Sequence, residues 1–174
     1  MTLIVEDGTG RSDAESYISV ADVGAYLALM KSATVQATWS AAALADQERA
    51  CRTATQYLDV RYGSRLPGTR INATMTLLWP REDAWDLDGY EIEDDEIPQR
   101  WLDACAELAL RVVEGDELLD DQDEPGSVAS ESVTVGPITV STSFLGGKGS
   151  TKRYPLVERL VGTIVGAKGT VYPG

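Results

Sequence analysis

The 174-residue sequence contains no histidine. Its absence removes the commonest general base, the Ser-His and Cys-His nucleophile pairs, and every imidazole metal site. Carboxylate chemistry stays open, but no pair of acids is singled out. Cysteine is almost absent as well. Cys51 and Cys105 stand in no metal-ligand spacing. Each falls on the apolar side of a predicted helix, so two buried free thiols behaving as small hydrophobes are expected. A cytosolic compartment disfavours a disulfide between them. No apolar run approaches the length of a membrane span. The start of the chain has no basic region and too short an apolar stretch for a signal peptide. The expectation is a cytosolic site of assembly, no membrane partner, no enzyme activity, no cofactor and no metal.

Positive charge is the other shortage. Fifteen Lys and Arg face 28 Asp and Glu, a net charge of −13. Such an excess keeps a protein soluble and argues against broad binding to nucleic-acid phosphates, which needs a positive surface. Negligible affinity for single-stranded DNA at physiological salt is therefore expected. An acidic wall is also compatible with a conduit that DNA crosses without sticking, and on composition alone a merely soluble acidic surface fits at least as well. The length allows one domain with a real core plus an appendage.

What is present is organised around residues 77–115, which hold three of the four tryptophans. Pro98 opens a helix where its missing N–H costs nothing. Asp94, Asp95 and Glu96 sit near the positive end of its dipole. Ile97, Trp101, Cys105, Leu108 and Val112 then recur at helical spacing and are the expected core anchors, with Ala104 and Ala109 between them. The outward face carries Arg100, Asp103, Glu107, Arg111 and Glu114, with Glu107 and Arg111 spaced for an ion pair. Gly115 ends the helix. Ahead of it, Asp86-Leu87-Asp88-Gly89 invites a calcium reading. Counting Gly89 as the sixth loop position leaves Ala84 at the first, where a ligand is required. A turn between two short strands, held by Asp side chains, is expected instead.

Elsewhere, residues 1–18 read as an extended arm. Ser19 is a predicted N-cap for a helix carrying Val20, Val23, Tyr26, Leu27 and Met30 on one face. Residues 32–45 read as a loop or a short helical turn. Asp46 is the predicted cap of a second long helix whose inner face is Ala50, Cys51, Ala54, Tyr57 and Leu58. Arg61, Arg65 and Arg70 follow in what reads as a solvated loop, too few with one tyrosine to make a stacking groove. Residues 116–126 form an acidic linker. Val133, Val135, Ile138 and Val140 alternate with Ser and Thr around Gly136-Pro137, a β-hairpin. An isolated hairpin is marginal in water, so it needs its own helical core or another copy of the chain. Residues 146–153 read as a flexible basic tether, and Pro155 opens a last helix.

Several stretches, taken in order, resemble a family of tailed-phage head–tail connectors, also called adaptors or head-completion proteins. Some members are labelled DnaT-like single-stranded DNA-binding proteins. The stretches are Glu15-Ser16-Tyr17-Ile18-Ser19, Ala54-Thr55-Gln56-Tyr57-Leu58-Asp59, Trp79-Pro80-Arg81, Asp86-Leu87-Asp88-Gly89-Tyr90, Asp95-Glu96-Ile97-Pro98, Val135-Gly136-Pro137-Ile138 and Arg153-Tyr154-Pro155. The resemblance implies a structural virion protein, a homo-oligomeric ring of about twelve copies between portal and tail or stopper protein. Double-stranded DNA would pass through that ring without sequence-specific contact. The expected fold is mainly α: a compact three- to four-helix bundle over residues 1–126, with extended terminal arms. A protruding hairpin and C-terminal helix over residues 127–174 form the appendage. Val133, Val135, Ile138, Val140, Tyr154, Leu156, Leu160 and Tyr172 are the expected subunit, portal or tail contacts. The alternative is that hairpin and tail fold back on their own bundle. A replication factor binding single-stranded DNA is the competing function.

Overall fold

A computed structural model describes residues 2–119, 130–135, 138–143 and 154–166. The fold is mainly α. Five α-helices and three two-stranded antiparallel ladders occur among the described residues. They divide into two units: Met1–Leu118 with Tyr154–Gly174, and Leu119–Arg153. The last helix thus belongs with the helical body rather than with the hairpin, unlike the expected division at residue 126.

Helix α1 (Val20–Met30) starts where Ser19 Oγ accepts from the Asp22 N–H at 3.1 Å, which satisfies one of the free donors of the first turn. Val23 and Leu27 face the core, but Met30 is 63% exposed, off the face the spacing predicts. Helix α2 (Ala33–Ala41) is a full nine-residue helix where a loop or short turn was expected. Its sequence has little amphipathic pattern; buried Trp39 anchors it, and Gln47 Nε2 donates to the Trp39 carbonyl at 2.8 Å. Tertiary packing thus supplies what local periodicity does not. Helix α3 (Leu44–Tyr62) begins three residues before Gln47, so Asp46 lies in its first turn, and Ala43 occupies the cap position.

Helix α4 (Gln99–Val113) packs along α3 and is the centre of the core. Trp101, Cys105 and Leu108 are fully buried, Val112 nearly so, and Ile97 packs against them partly buried. Pro98 sits one place earlier than expected, at the cap, where its carbonyl accepts from Trp101 and Leu102. At the other end Gly115 adopts φ +100°, and the N–H groups of Gly115 and Asp116 close on the carbonyls of Val112 and Arg111. These paired bonds satisfy carbonyls the helix leaves open. Glu107 corrects the outward-face reading. It is 3% exposed, and its carboxylate accepts from Tyr26 OH at 2.8 Å and pairs with Lys31 Nζ at 2.6 Å. A buried carboxylate needs such partners. α1 supplies both, and sequence spacing within α4 could not reveal them.

The N-terminal segment is held against the body rather than standing away as an arm. Val5 bridges Ser16, and the buried Glu6 carboxylate accepts from the backbone N–H groups of Gly8, Gly10 and Arg11 at 2.8–3.1 Å. Gly8 has φ +93°, and a Cβ there would collide with the Asp95 carbonyl. Arg52 on α3 pairs with Glu15 at 2.8 Å.

Between α3 and α4, β1 (Thr69–Arg70) pairs with β2 (Arg81–Glu82), and β3 (Ala84–Trp85) with β4 (Glu91–Ile92). The β3–β4 turn is the expected Asp turn. Asp86 Oδ1 accepts from the Asp88 and Tyr90 N–H groups, both at 2.9 Å. Helix α5 (Pro155–Val161) packs on α4 through Val157 and Val161. In the second unit β5 (Ser130–Val135) pairs with β6 (Ile138–Ser143), the expected hairpin.

Candidate functional site

Three of the stretches that carry the family resemblance, residues 15–19, 54–59 and 79–81, lie far apart in sequence and meet at one polar junction. Ser16 Oγ lies 3.2 Å from Thr55 Oγ1, which also accepts from the Tyr17 N–H at 3.2 Å. The Tyr17 hydroxyl donates to Asp59 Oδ1 at 2.5 Å and accepts from the N–H groups of Leu78 and Trp79 at 2.9 and 3.3 Å. Arg81 lies beside them, with its guanidinium turned onto backbone. It donates to the carbonyls of Pro67, Leu78 and Gly68. One network thus ties the N-terminal segment, α3 and the Trp79-Pro80-Arg81 loop together.

Its electrostatics follow from burial. Burial pushes the Tyr17 phenol well above its ordinary value, and the neighbouring Asp59 carboxylate adds to this, so Tyr17 stays a donor. Burial also raises Asp59 to about 6, with the Tyr17 and Leu78 hydrogen bonds and the Arg81 charge opposing it. Burial lowers Arg81, against the attraction of Tyr17 and Asp59, but a guanidinium keeps its charge. Below the network the Trp101 ring is met edge-on by Tyr17 and Tyr62, at 6.1 and 6.4 Å between centroids, and by a tilted Trp79 at 6.3 Å. The Ser16, Tyr17, Thr55, Asp59 and Arg81 side chains are all directed at other parts of the chain, while the buried indole N–H groups of Trp79 and Trp101 have no hydrogen-bond partner among the described residues. The arrangement is that of a structural joint.

Both cysteines are buried and free. Burial raises Cys51 to about 12 and Cys105 further, so neither is a nucleophile. Among the described residues no group of three or more His, Cys, Asp or Glu could hold a metal ion, and no helix is long and apolar enough to cross a membrane.

The surface features relevant to partners are elsewhere. Arg61 and Arg70 are exposed and Arg65 half-buried, with the Arg65 guanidinium 5.0 Å from the Tyr62 ring centre. Tyr62 itself is buried and holds the arginine by a cation–π contact. The expected contact residues separate. Tyr154 is buried, with its ring edge-on to Tyr57 at 5.8 Å, and Leu160 packs partly buried against the core. Leu156 is exposed. The strand register sets Val133 opposite Val140 and Val135 opposite Ile138, so the four positions share one face of the hairpin. Tyr172 lies outside the described residues. Missed by sequence reasoning were the exposed Leu29 and the buried Glu6, Glu107 and Arg81. The pattern of α1 could have flagged Leu29, but the others depend on distant partners.

No curated protein and no solved structure matches the chain. The model of the family described as "Putative DnaT-like ssDNA binding protein" matches residues 1–173. By that match across nearly its whole length, the chain belongs to the DnaT-like ssDNA binding protein family.

Proposed function

We propose that this chain binds single-stranded DNA, as the description of its family says of that family. The family match carries the reading. The net charge of −13 is the physical objection, and the uneven distribution of charge answers part of it. Residues 82–96 hold nine acids and no base, and residues 114–124 hold seven acids and no base. The rest of the chain has twelve acids against all fifteen bases, a net of +3. Within residues 49–81 six arginines face one acid, Asp59. Arg81 is engaged with backbone, and Arg49 and Arg52 pair with Asp46 and Glu15. Arg61 and Arg70 at the surface, and Arg65 half-buried against the Tyr62 ring, are the candidate phosphate contacts. Three such contacts give a log–log salt slope of about −2 for a single strand. The test is fluorescence anisotropy of a labelled thymidine oligonucleotide across a salt series. Micromolar binding that weakens with salt and is lost in the Arg61→Ala, Arg65→Ala, Arg70→Ala triple variant supports the reading. No binding at low salt ends it.

A second reading is the head–tail connector of a tailed phage, a non-enzymatic virion ring of about twelve copies joining portal to tail. The exposed pair Leu29 and Met30 favours it, because large apolar side chains left outside suit a protein partner better than a phosphate backbone. The acidic surface suits a channel that DNA crosses. Electron micrographs of the purified protein mixed with portal protein, together with its mass in solution, separate the two readings.

A further inference from the structure

α1 and the start of α4 border a surface groove of about 560 Å³, lined by Asp22, Tyr26, Leu29, Met30, Leu102 and Asp103 among others. Leu29 is 85% and Met30 63% exposed at its rim. Its charged groups are both carboxylates, Asp22 and Asp103, beside the neutral polar side chains of Tyr17, Tyr26 and Gln99. Asp22 accepts from Ser19 Oγ at 2.5 Å and Asp103 from Gln99 Nε2 at 2.8 Å, both neutral donors. Lys31, the base at the end of α1, is held by buried Glu107. Among the described residues neither Asp22 nor Asp103 has an ion-pair partner. The groove therefore combines apolar walls with uncompensated negative charge, and its complement is an apolar anchor carrying bases.

This chain contains such a segment. Residues 144–153 start with the only phenylalanine, Phe144, next to Leu145, and continue with Lys148, Lys152 and Arg153 and no acid. Their local charge is +3 in a chain of −13. We propose that residues 144–153 of a second copy dock in this groove, with Phe144 and Leu145 against Leu29, Met30 and Leu102 and the bases toward Asp22 and Asp103. Donor segment and acceptor groove are different surfaces. Such a contact is head-to-tail and builds a ring if it closes or a filament if it does not. It involves copies of this chain alone and is independent of DNA binding.

Sedimentation velocity on the full chain, without DNA, tests this. The mass should rise with protein concentration and fall with salt. Leu29→Asp with Met30→Asp should return the monomer with the helical circular-dichroism signal unchanged, since both side chains are at the surface. Phe144→Ser with Leu145→Ser should do the same. Asp103→Lys should weaken association, and adding Lys152→Glu should restore it. A chain that stays monomeric at all concentrations, or association that neither apolar pair of substitutions weakens, overturns the proposal. A labelled peptide of residues 142–154 gives a second measurement. If it binds the Phe144→Ser, Leu145→Ser chain but not the Leu29→Asp, Met30→Asp chain, while wild type stays monomeric, the groove is filled by its own chain's segment and the second copy is overturned.

Discussion

Replacing Asp59 with asparagine should stabilise the protein at neutral pH. Burial raises the Asp59 carboxyl from 3.8 to about 6. The folded state therefore binds that proton more tightly than the unfolded chain does. The associated stability is present in full below pH 3.8 and is lost as the pH rises through 6. At about 1.4 kcal/mol per pKa unit, the charged carboxylate costs about 3 kcal/mol above pH 6 relative to its protonated form. Asparagine keeps an oxygen to accept from the Tyr17 hydroxyl and carries no charge to desolvate. That cost already includes the attraction of Arg81, but the asparagine amide must seat its NH2 where a carboxylate oxygen stood, so the net gain at pH 7 is expected at about 1–2 kcal/mol. Urea unfolding of wild type and Asp59→Asn from pH 4 to 8 measures this. The two curves should lie close together at pH 4 and separate between pH 4 and 6, with the variant above. Glu15, held low by Arg52, loses its contribution only as pH falls below its ordinary range, and it does so equally in both proteins. A variant less stable at pH 7 by more than about 1 kcal/mol, with an unchanged pH profile, would show that the Arg81 attraction outweighs desolvation.

Trp101→Ala, at the centre of the aromatic cluster and fully buried, should cost about 3–5 kcal/mol in denaturant unfolding; an unchanged midpoint contradicts its place in the core. Lys31→Ala leaves Glu107 buried with only Tyr26 as partner and should cost about 2–3 kcal/mol, less than for a fully enclosed pair because Lys31 touches water. That loss should shrink in the Lys31→Ala, Glu107→Leu double variant, and equal losses in both would refute the pairing argument. On the connector reading, deleting residues 130–143, which lie in the second unit, should leave the helical circular-dichroism signal nearly intact while abolishing binding to portal protein. A deletion that unfolds the helical body would make the hairpin part of the core.

The sequence by itself determined the elements whose cause is local. The apolar stripe from Trp101 to Val112 makes α4 and its buried face, because helical spacing alone selects those positions. The Asp86 turn and the register of β5 with β6 follow from residues within reach of one another along the chain. Only the tertiary structure decided what depends on distant partners. Glu107 reads as a surface residue until Tyr26 and Lys31 arrive from α1, and Tyr154 reads as a contact for another protein until Tyr57 covers it. Arg81, Asp59 and Tyr17 look like separate fragments of a family pattern, and packing makes them one joint. The groove between α1 and α4 belongs to the same class, because no single stretch of sequence encloses it. Local patterns specify which face of an element is apolar. Which charges can be buried, and which apolar side chains stay outside, is settled only when elements far apart in the chain supply or fail to supply a partner.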